Sequence, residues 1–271
     1  MALQDVIDKV NSPLQGWKMK VLSQAARGSL IRLVSSSIPS YHMSSLIFPK
    51  SICKKLDSIN RNFWWGIEEK KHGLFLRSWD SICLPKWAGS IGIRKTEDLN
   101  KALVAKLSWE VASNSGKKWV QLFRKKYVKH RNFMKMQCPK FASWAAMSIF
   151  KCKDVLSNGF CHKIGNGRGT CIWEDPWVPE IPRFIPTSSN DISSSDVYVA
   201  NLIDHDLRQW DRGKLFNLFD TETARNIFKI NLPHLQQNDH IFLVFIKIGL
   251  FLSQVSLYVN HPNQVNWPKS S

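Results

Sequence analysis

"KIGNGRGTCIWEDPWVP", residues 163–179, is where the chain changes its period. Upstream of it apolar residues recur at helical spacing. Here two short runs of β-forming residues, FCHKI (160–164) and TCIWE (170–174), flank GNGRG. Asn166-Gly167 is the chemistry of a type I′ turn, which needs positive φ at both central residues. The stretch therefore predicts a β-hairpin near 160–174, with Arg168 at its tip and Trp173 and Trp177 pinning it to the helical body. A GxGxxG loop that binds a dinucleotide must follow a strand and open a helix, so that the helix N-terminus meets the phosphate. GNGRG is followed by β-type residues and then Pro176, which argues against a phosphate cradle.

Working outward, LSQAARGSLIRLVSSSIPSY (22–41) reads as a helix with Ser23 as N-cap. Leu22, Ala26, Leu30 and Val34 form its stripe, Arg27 and Arg32 lie off it, and Pro39 ends the element. In PKSICKKLDSINRNFWWG (49–66), Pro49 suits the first turn, Ile52, Leu56, Ile59 and Phe63 share a buried face, and Gly66 is a C-terminal stop. Lys54, Lys55 and Arg61 project elsewhere. Trp64 either closes the core or stacks on a base. Residues 72–99 are turn-rich, with Pro85, Gly89 and Gly92, and wrap the helices. Thr96 then N-caps a helix with Leu99, Leu103, Leu107 and Val111 as its stripe. Helices follow over 117–130, with Trp119, Phe123 and Tyr127 on one face, and over 143–159. Beyond the hairpin a proline- and serine-rich connector leads to renewed helical patterning, with Leu215, Leu218, Phe219 and Ile227 as core. The apolar run 241–259 approaches the length of a membrane span. Lys247 near its middle favours a buried strand or helix instead.

The fold class is therefore mainly α with a small β-hairpin (α+β). The divisions fall at 1–113 (helical), 114–180 (basic helices and hairpin connector) and 181–271 (degenerate C-terminal region).

The charge balance is 38 Lys+Arg against 21 Asp+Glu, a formal net charge of +17, and the sequence pI is ≈ 9.8. Such an excess points to polyanionic partners. From Val111 to Lys153 there are eleven Lys or Arg and no acid; from Glu174 to Asp239 there are eleven acids and six bases. The basic stretch is interleaved with Trp119, Phe123, Tyr127, Phe133, Phe141 and Trp144, which are either core residues or stacking faces for bases.

Polymerase and nuclease chemistry needs carboxylates converging on divalent metals. The first 173 residues hold ten acids and no Asp-Asp pair. GxxxxGK[ST], GxSxG and HExxH are all missing, and His72, His130 and His162 lack an acidic orienting partner. The expectation is a chain that is not itself a catalyst and takes no cofactor. Its six cysteines form no CxxC pair and read as reduced thiols, and Cys161, His162 and Cys171 make too irregular a cluster for zinc. The N-terminus has no secretory pattern, so an intracellular location, nucleus or cytoplasm, is expected.

Several of these segments, in this order, resemble one family. LSQAARGSLIRLVSSSIPSYHMSSLIFPKSICKKLDSINRNFWWG, CLPKWAGSIGIRKTEDLNKALVAKLSWEVA, WVQLFRKKYV and IGNGRGTCIWEDPWVP are similar to the part after the polymerase palm in plant LINE-type non-LTR retrotransposon reverse transcriptases. These RNA-directed DNA polymerases are often labelled as ribonuclease H or reverse-transcriptase zinc-binding proteins. The resemblance spans roughly residues 14 to 233. It implies a helical thumb-like bundle plus connector, holding an RNA/DNA duplex or hybrid non-specifically through its backbone. Arg27, Arg32, Lys54 and Lys55 become candidate phosphate contacts, joined by Lys86, Arg94, Lys125 and Arg168. Ala26 and AGSIG depart from the family pattern. Leu243 stands where the family has Trp, and GLFLSQVSLY is out of register. Neither the fingers nor the palm is expected in the chain, which is also expected to end before the zinc-binding part. Two other readings are a relic without function and a peripheral-membrane protein anchored by 241–259.

Overall fold

The computed structural model describes residues 3–16, 22–67, 74–157, 159–187, 197–204, 206–233 and 237–244. They fall into two compact units, one taking in the chain through Trp109 together with Lys125–Lys153, the other Glu110–Arg124 and the described chain from Asp154 onward. His72 and the serine-rich end of the connector, 188–196, lie outside the described residues. So does the apolar run 241–259 apart from its first four positions.

The first unit opens with α1 (Leu3–Gly16), whose Val6, Ile7, Val10 and Leu14 are buried, followed by α2 (Gln24–Leu30). Ser23 caps α2 as expected, accepting from the Ala26 amide at 3.3 Å. Past Leu30 the helix widens into a π-turn, Ile31–Ser35, and the buried residues are Gly28, Ile31 and Ser35. The predicted stripe Leu22, Ala26, Leu30 and Val34 is only partly buried. A π-turn takes more residues per turn than an α-helix, so a stripe drawn at constant spacing runs off the true face.

After α3 (Ser40–Met43) comes α4 (Lys50–Trp65), which starts behind Pro49 as N-cap and stops at Gly66, left-handed at φ 67. Leu56, Phe63, Cys53 and Trp64 enter the core, and Ile52 and Ile59 pack at its edge. Residues 74–95 contribute α5 (Trp79–Ile82) and a 3-10 turn at Lys86–Ala88, and no strand. Gly89 (φ 79) and Gly92 (φ 72) supply left-handed turns that L-residues avoid.

The N-terminus of α6 (Thr96–Ala112) is held by α4: the Thr96 amide and hydroxyl donate to Asp57 Oδ1 at 3.0 and 2.7 Å. Asn100, almost fully buried, donates from Nδ2 to the carbonyls of Met43 and Leu46 at 2.8 and 2.7 Å. Its Oδ1 accepts from the Phe48 amide at 2.7 Å. Asn100, Val104, Ser108 and Val111 are buried, with Ala102 and Ala105 beside them. The expected stripe is half-buried except at Val111, because α6 is packed on more than one side and small or polar residues fill the closest approaches.

From α6 the chain runs to α7 (Lys118–Phe123) and a second π-turn, Arg124–Val128, and then to α8 (Trp144–Lys151), capped by Ser143. Ser148 of α8 accepts from the Ile47 amide at 2.9 Å. Phe133 is buried against Phe150, ring centroids 5.1 Å apart. Lys153 Nζ lies 5.7 Å from each of those rings.

The second unit continues through α9 (Lys153–Ser157), β1 (Phe160–Lys163), β2 (Ile203–Asp204), β3 (Gln209–Trp210), α10 (Arg212–Leu218), α11 (Thr221–Phe228) and β4 (His240–Leu243). The fold class is as expected, mainly α with little β, but the strand partner differs. β1 pairs antiparallel with β4, His162 facing Ile241, and not with residues 170–174. Those residues instead run beside 197–199: the Ile172 amide donates to the Val197 carbonyl at 2.9 Å and the Val199 amide to the Thr170 carbonyl at 3.0 Å. The tight hairpin is β2–β3, with Ile203 facing Trp210.

No type I′ turn forms because only Gly167 takes positive φ (69). Asn166 instead turns its side-chain oxygen onto the Arg168 amide at 3.0 Å. Trp177, fully buried, donates from Nε1 to the Ile172 carbonyl and stacks on Trp210 at 5.9 Å. Trp173 packs on Phe219 at 5.2 Å. Leu215, Phe219 and Ile227 are core residues as read from the sequence, with Leu218 packed at the edge.

Candidate nucleic-acid interface

The glycine loop holds an anion, and the anion is the chain's own. The amides of Gly165 and Gly167 donate to Asp239 Oδ1 at 2.7 and 2.9 Å. The Gly169 amide and the Thr170 hydroxyl donate to Oδ2 at 3.0 and 2.9 Å. Successive amides turned toward one point make a concavity for negative charge. The glycines are required by close approach: a Cβ on Gly165 would stand 2.3 Å from the Gln237 carbonyl oxygen, and one on Gly167 2.5 Å from the Ala200 nitrogen. Alternating glycines were the visible signal. Their partner, 70 positions downstream of Gly169, was not. A loop closed by a carboxylate offers no phosphate cradle, in agreement with the sequence reading, though a hairpin turn was the wrong reason. Arg168 is exposed beside it.

The other candidate cations lie in the first unit. Arg27 is half-buried, and its Nη1 donates to the Trp64 carbonyl at 3.3 Å, at the C-terminus of α4. A Cβ on Gly66 would stand 2.6 Å from that Nη1, and one on Gly28 2.9 Å from the Trp64 ring. Arg27-Gly28 and Trp64-Trp65-Gly66 thus interlock, and Trp64 closes the core as one of its two readings held. A cation here also complements the negative end of the helix dipole. Arg32 donates to the Ile91 carbonyl at 2.9 Å, joining the π-turn after α2 to the segment that carries Lys86 and Arg94. Lys54, Lys55, Lys86, Arg94 and Lys125 are exposed.

The interleaved aromatics divide. Phe133 is core; Trp119, Phe123 and Tyr127 are half-buried, the first two edge to face at 6.4 Å. Phe141 is 97% exposed and Trp144 46%. The Tyr127 hydroxyl lies 3.4 Å from Ser143 Oγ, and that hydrogen bond lowers the phenol's pKa. Lys126 Nζ sits 5.1 Å from the Tyr127 ring centroid.

All six cysteines are free. Burial pushes the Cys53 and Cys161 thiols up to about 12. Among the described residues no three His, Cys, Asp or Glu side chains are grouped to hold a metal ion, and no helix is long and apolar enough to cross a membrane. Burial also raises the pKa of Asp57, against the hydrogen bonds from Thr96.

A basic, mainly α protein with an internally closed glycine loop is the class these features define. No known protein-family profile matches the chain. Over 221 residues, 78% of its length, it is 29% identical to "Putative ribonuclease H protein At1g65750" of Arabidopsis thaliana. It spans only 34% of that relative. Over 143 residues, 52% of its length, it is 32% identical to "Uncharacterized mitochondrial protein AtMg00310" of the same plant, covering 93% of it. The chain belongs to the family of that mitochondrial protein.

Proposed function

We propose that this chain is a non-catalytic segment of a plant LINE-type non-LTR retrotransposon reverse transcriptase that binds nucleic acid through the phosphate backbone. The observation that carries the proposal is the acid-free stretch from Val111 to Lys153, with eleven Lys or Arg. Exposed Lys54, Lys55, Lys86 and Arg94 extend the cationic surface of the first unit. Exposed lysines attract phosphates of any sequence, with affinity governed by counterion release. A relative named for ribonuclease H supports a nucleic-acid setting, and the ordered motifs of 22–66, 83–112, 119–128 and 164–179 support the retroelement ancestry.

An anisotropy titration of the full chain with a labelled RNA/DNA hybrid tests the reading. The expected result is binding at low salt that weakens steeply as salt rises, indifferent to sequence. Absence of binding at low salt, or affinity unchanged by salt, rejects it.

A further inference from the structure

We infer that the surface joining the turn 124–128 to the start of α8 is a single-strand site, in which Phe141 and Trp144 stack on unpaired bases while neighbouring lysines hold the phosphates. The inference rests on the nucleic-acid reading above and names the form of nucleic acid this surface takes. Phe141 is 97% exposed and Trp144 46%, although Phe133 and Phe150 nearby pack in the core. Large rings left in water within a folded unit mark a contact surface when they are gathered with matching charge.

The gathering is visible here. The Tyr127 hydroxyl reaches Ser143 Oγ at 3.4 Å, and Ser143 is the N-cap between Phe141 and Trp144. Lys126 lies over the Tyr127 ring, Lys140 adjoins Phe141 in the chain, and Lys129 follows the turn; all three lysines are exposed. An apolar protein partner would offer these exposed cations no counter-charge. A nucleic-acid strand supplies both counterparts at once: phosphates for the lysines and flat faces for the rings. Base–aromatic stacking tolerates any sequence. It requires bases not already paired, so the site selects single strands where a purely cationic surface does not.

The test compares the full chain with Phe141→Ala and Trp144→Ala on three labelled probes of about 20 units: oligothymidylate, a DNA duplex, and an abasic strand with the same phosphates. Each substitution is expected to weaken oligothymidylate binding about tenfold and leave duplex binding within about twofold, and only the two together are expected to bring oligothymidylate down to the abasic strand's affinity. Phe141→Trp, which keeps a flat ring at the position, is expected to retain the affinity of the unaltered chain. The side chains are exposed, and circular dichroism verifies that the variants fold. Oligothymidylate bound no tighter than the abasic strand, or equal losses on duplex and single strand, overturns the single-strand site while the backbone-binding reading stands. No binding of any probe at low salt overturns both.

Discussion

Two regions of this molecule are shaped for negative charge, and they use it oppositely. In the second unit, three glycine amides and a hydroxyl close on Asp239. In the first, lysines on α4 and in the turn 124–128 stand in water. Backbone amides are fixed donors that cost little to aim, so an internal carboxylate can satisfy them and lock two distant segments together. Lysine ammonium groups are strongly hydrated, mobile and able to wait for an external phosphate. The sharper-looking anion motif is therefore closed by the chain itself, and the exposed lysines are the groups proposed to meet phosphate.

Breaking the closed region gives the largest expected effect. Gly165→Ala sets a methyl against a backbone carbonyl and is expected to destabilise the second unit by about 3 kcal/mol or more. Gly169→Ala meets only the Asp239 carboxylate, at 3.4 Å, and has no positive φ; it is expected to cost less than about 1 kcal/mol. Urea denaturation of the full-length variants measures both. Equal, small losses would mean that the close approach of residues 237–239 to the loop is not maintained in solution.

The sequence made most helices legible, because caps and stops are local: Ser23, Ser143 and Gly66 stand at the observed ends, and Thr96, read as an N-cap, is instead the first residue of α6 with its hydroxyl turned to Asp57. What stayed hidden depends on distant partners. GNGRG could not announce Asp239, and FCHKI could not announce β4, since a four-residue strand carries no label for its partner. Gly28 and Asn100 score poorly as core residues, yet one admits the Trp64 ring and the other secures residues 43–48. Both stand within the family-like segments. Those motifs therefore report how the helices fit together as much as any contact with a ligand. The proposed site was legible only as composition: the charge excess is read directly from the sequence, while which aromatics face outward is set by the fold.

Within the first unit the same comparison separates two kinds of cation. Arg27→Ala removes the guanidinium from the end of α4 and is expected to cost about 1 kcal/mol of stability. Lys54→Ala with Lys55→Ala is expected to change stability by less than about 0.5 kcal/mol. In nucleic-acid titrations the order reverses. The double lysine variant is expected to flatten the logarithmic salt dependence by about 1.8, the equivalent of two phosphate contacts on a DNA duplex. Loss of stability without loss of salt slope in the lysine variant would reverse the roles assigned to these groups.

The smallest effect distinguishes two carboxylates that both belong to the α4–α6 junction. Burial raises the folded pKa of Asp57, so its contribution to stability falls as pH rises through the interval above its ordinary 3.8. Glu97 has the opposite sign. Its hydrogen bond with Lys101, 2.7 Å away one helical turn along, lowers its pKa from an ordinary 4.5. That contribution is fully present above 4.5 and is lost as pH falls through the lowered folded value. Lys101→Ala is accordingly expected to cost about 0.4 kcal/mol at neutral pH, the ordinary worth of such a pair on a partly exposed helix face, and to approach the intrinsic propensity difference in acid. Urea midpoints measured at neutral pH and below the Glu97 transition give the difference directly. A cost that persists undiminished in acid would assign the role of Lys101 to the packing of its stem, because the pairing disappears once Glu97 is protonated.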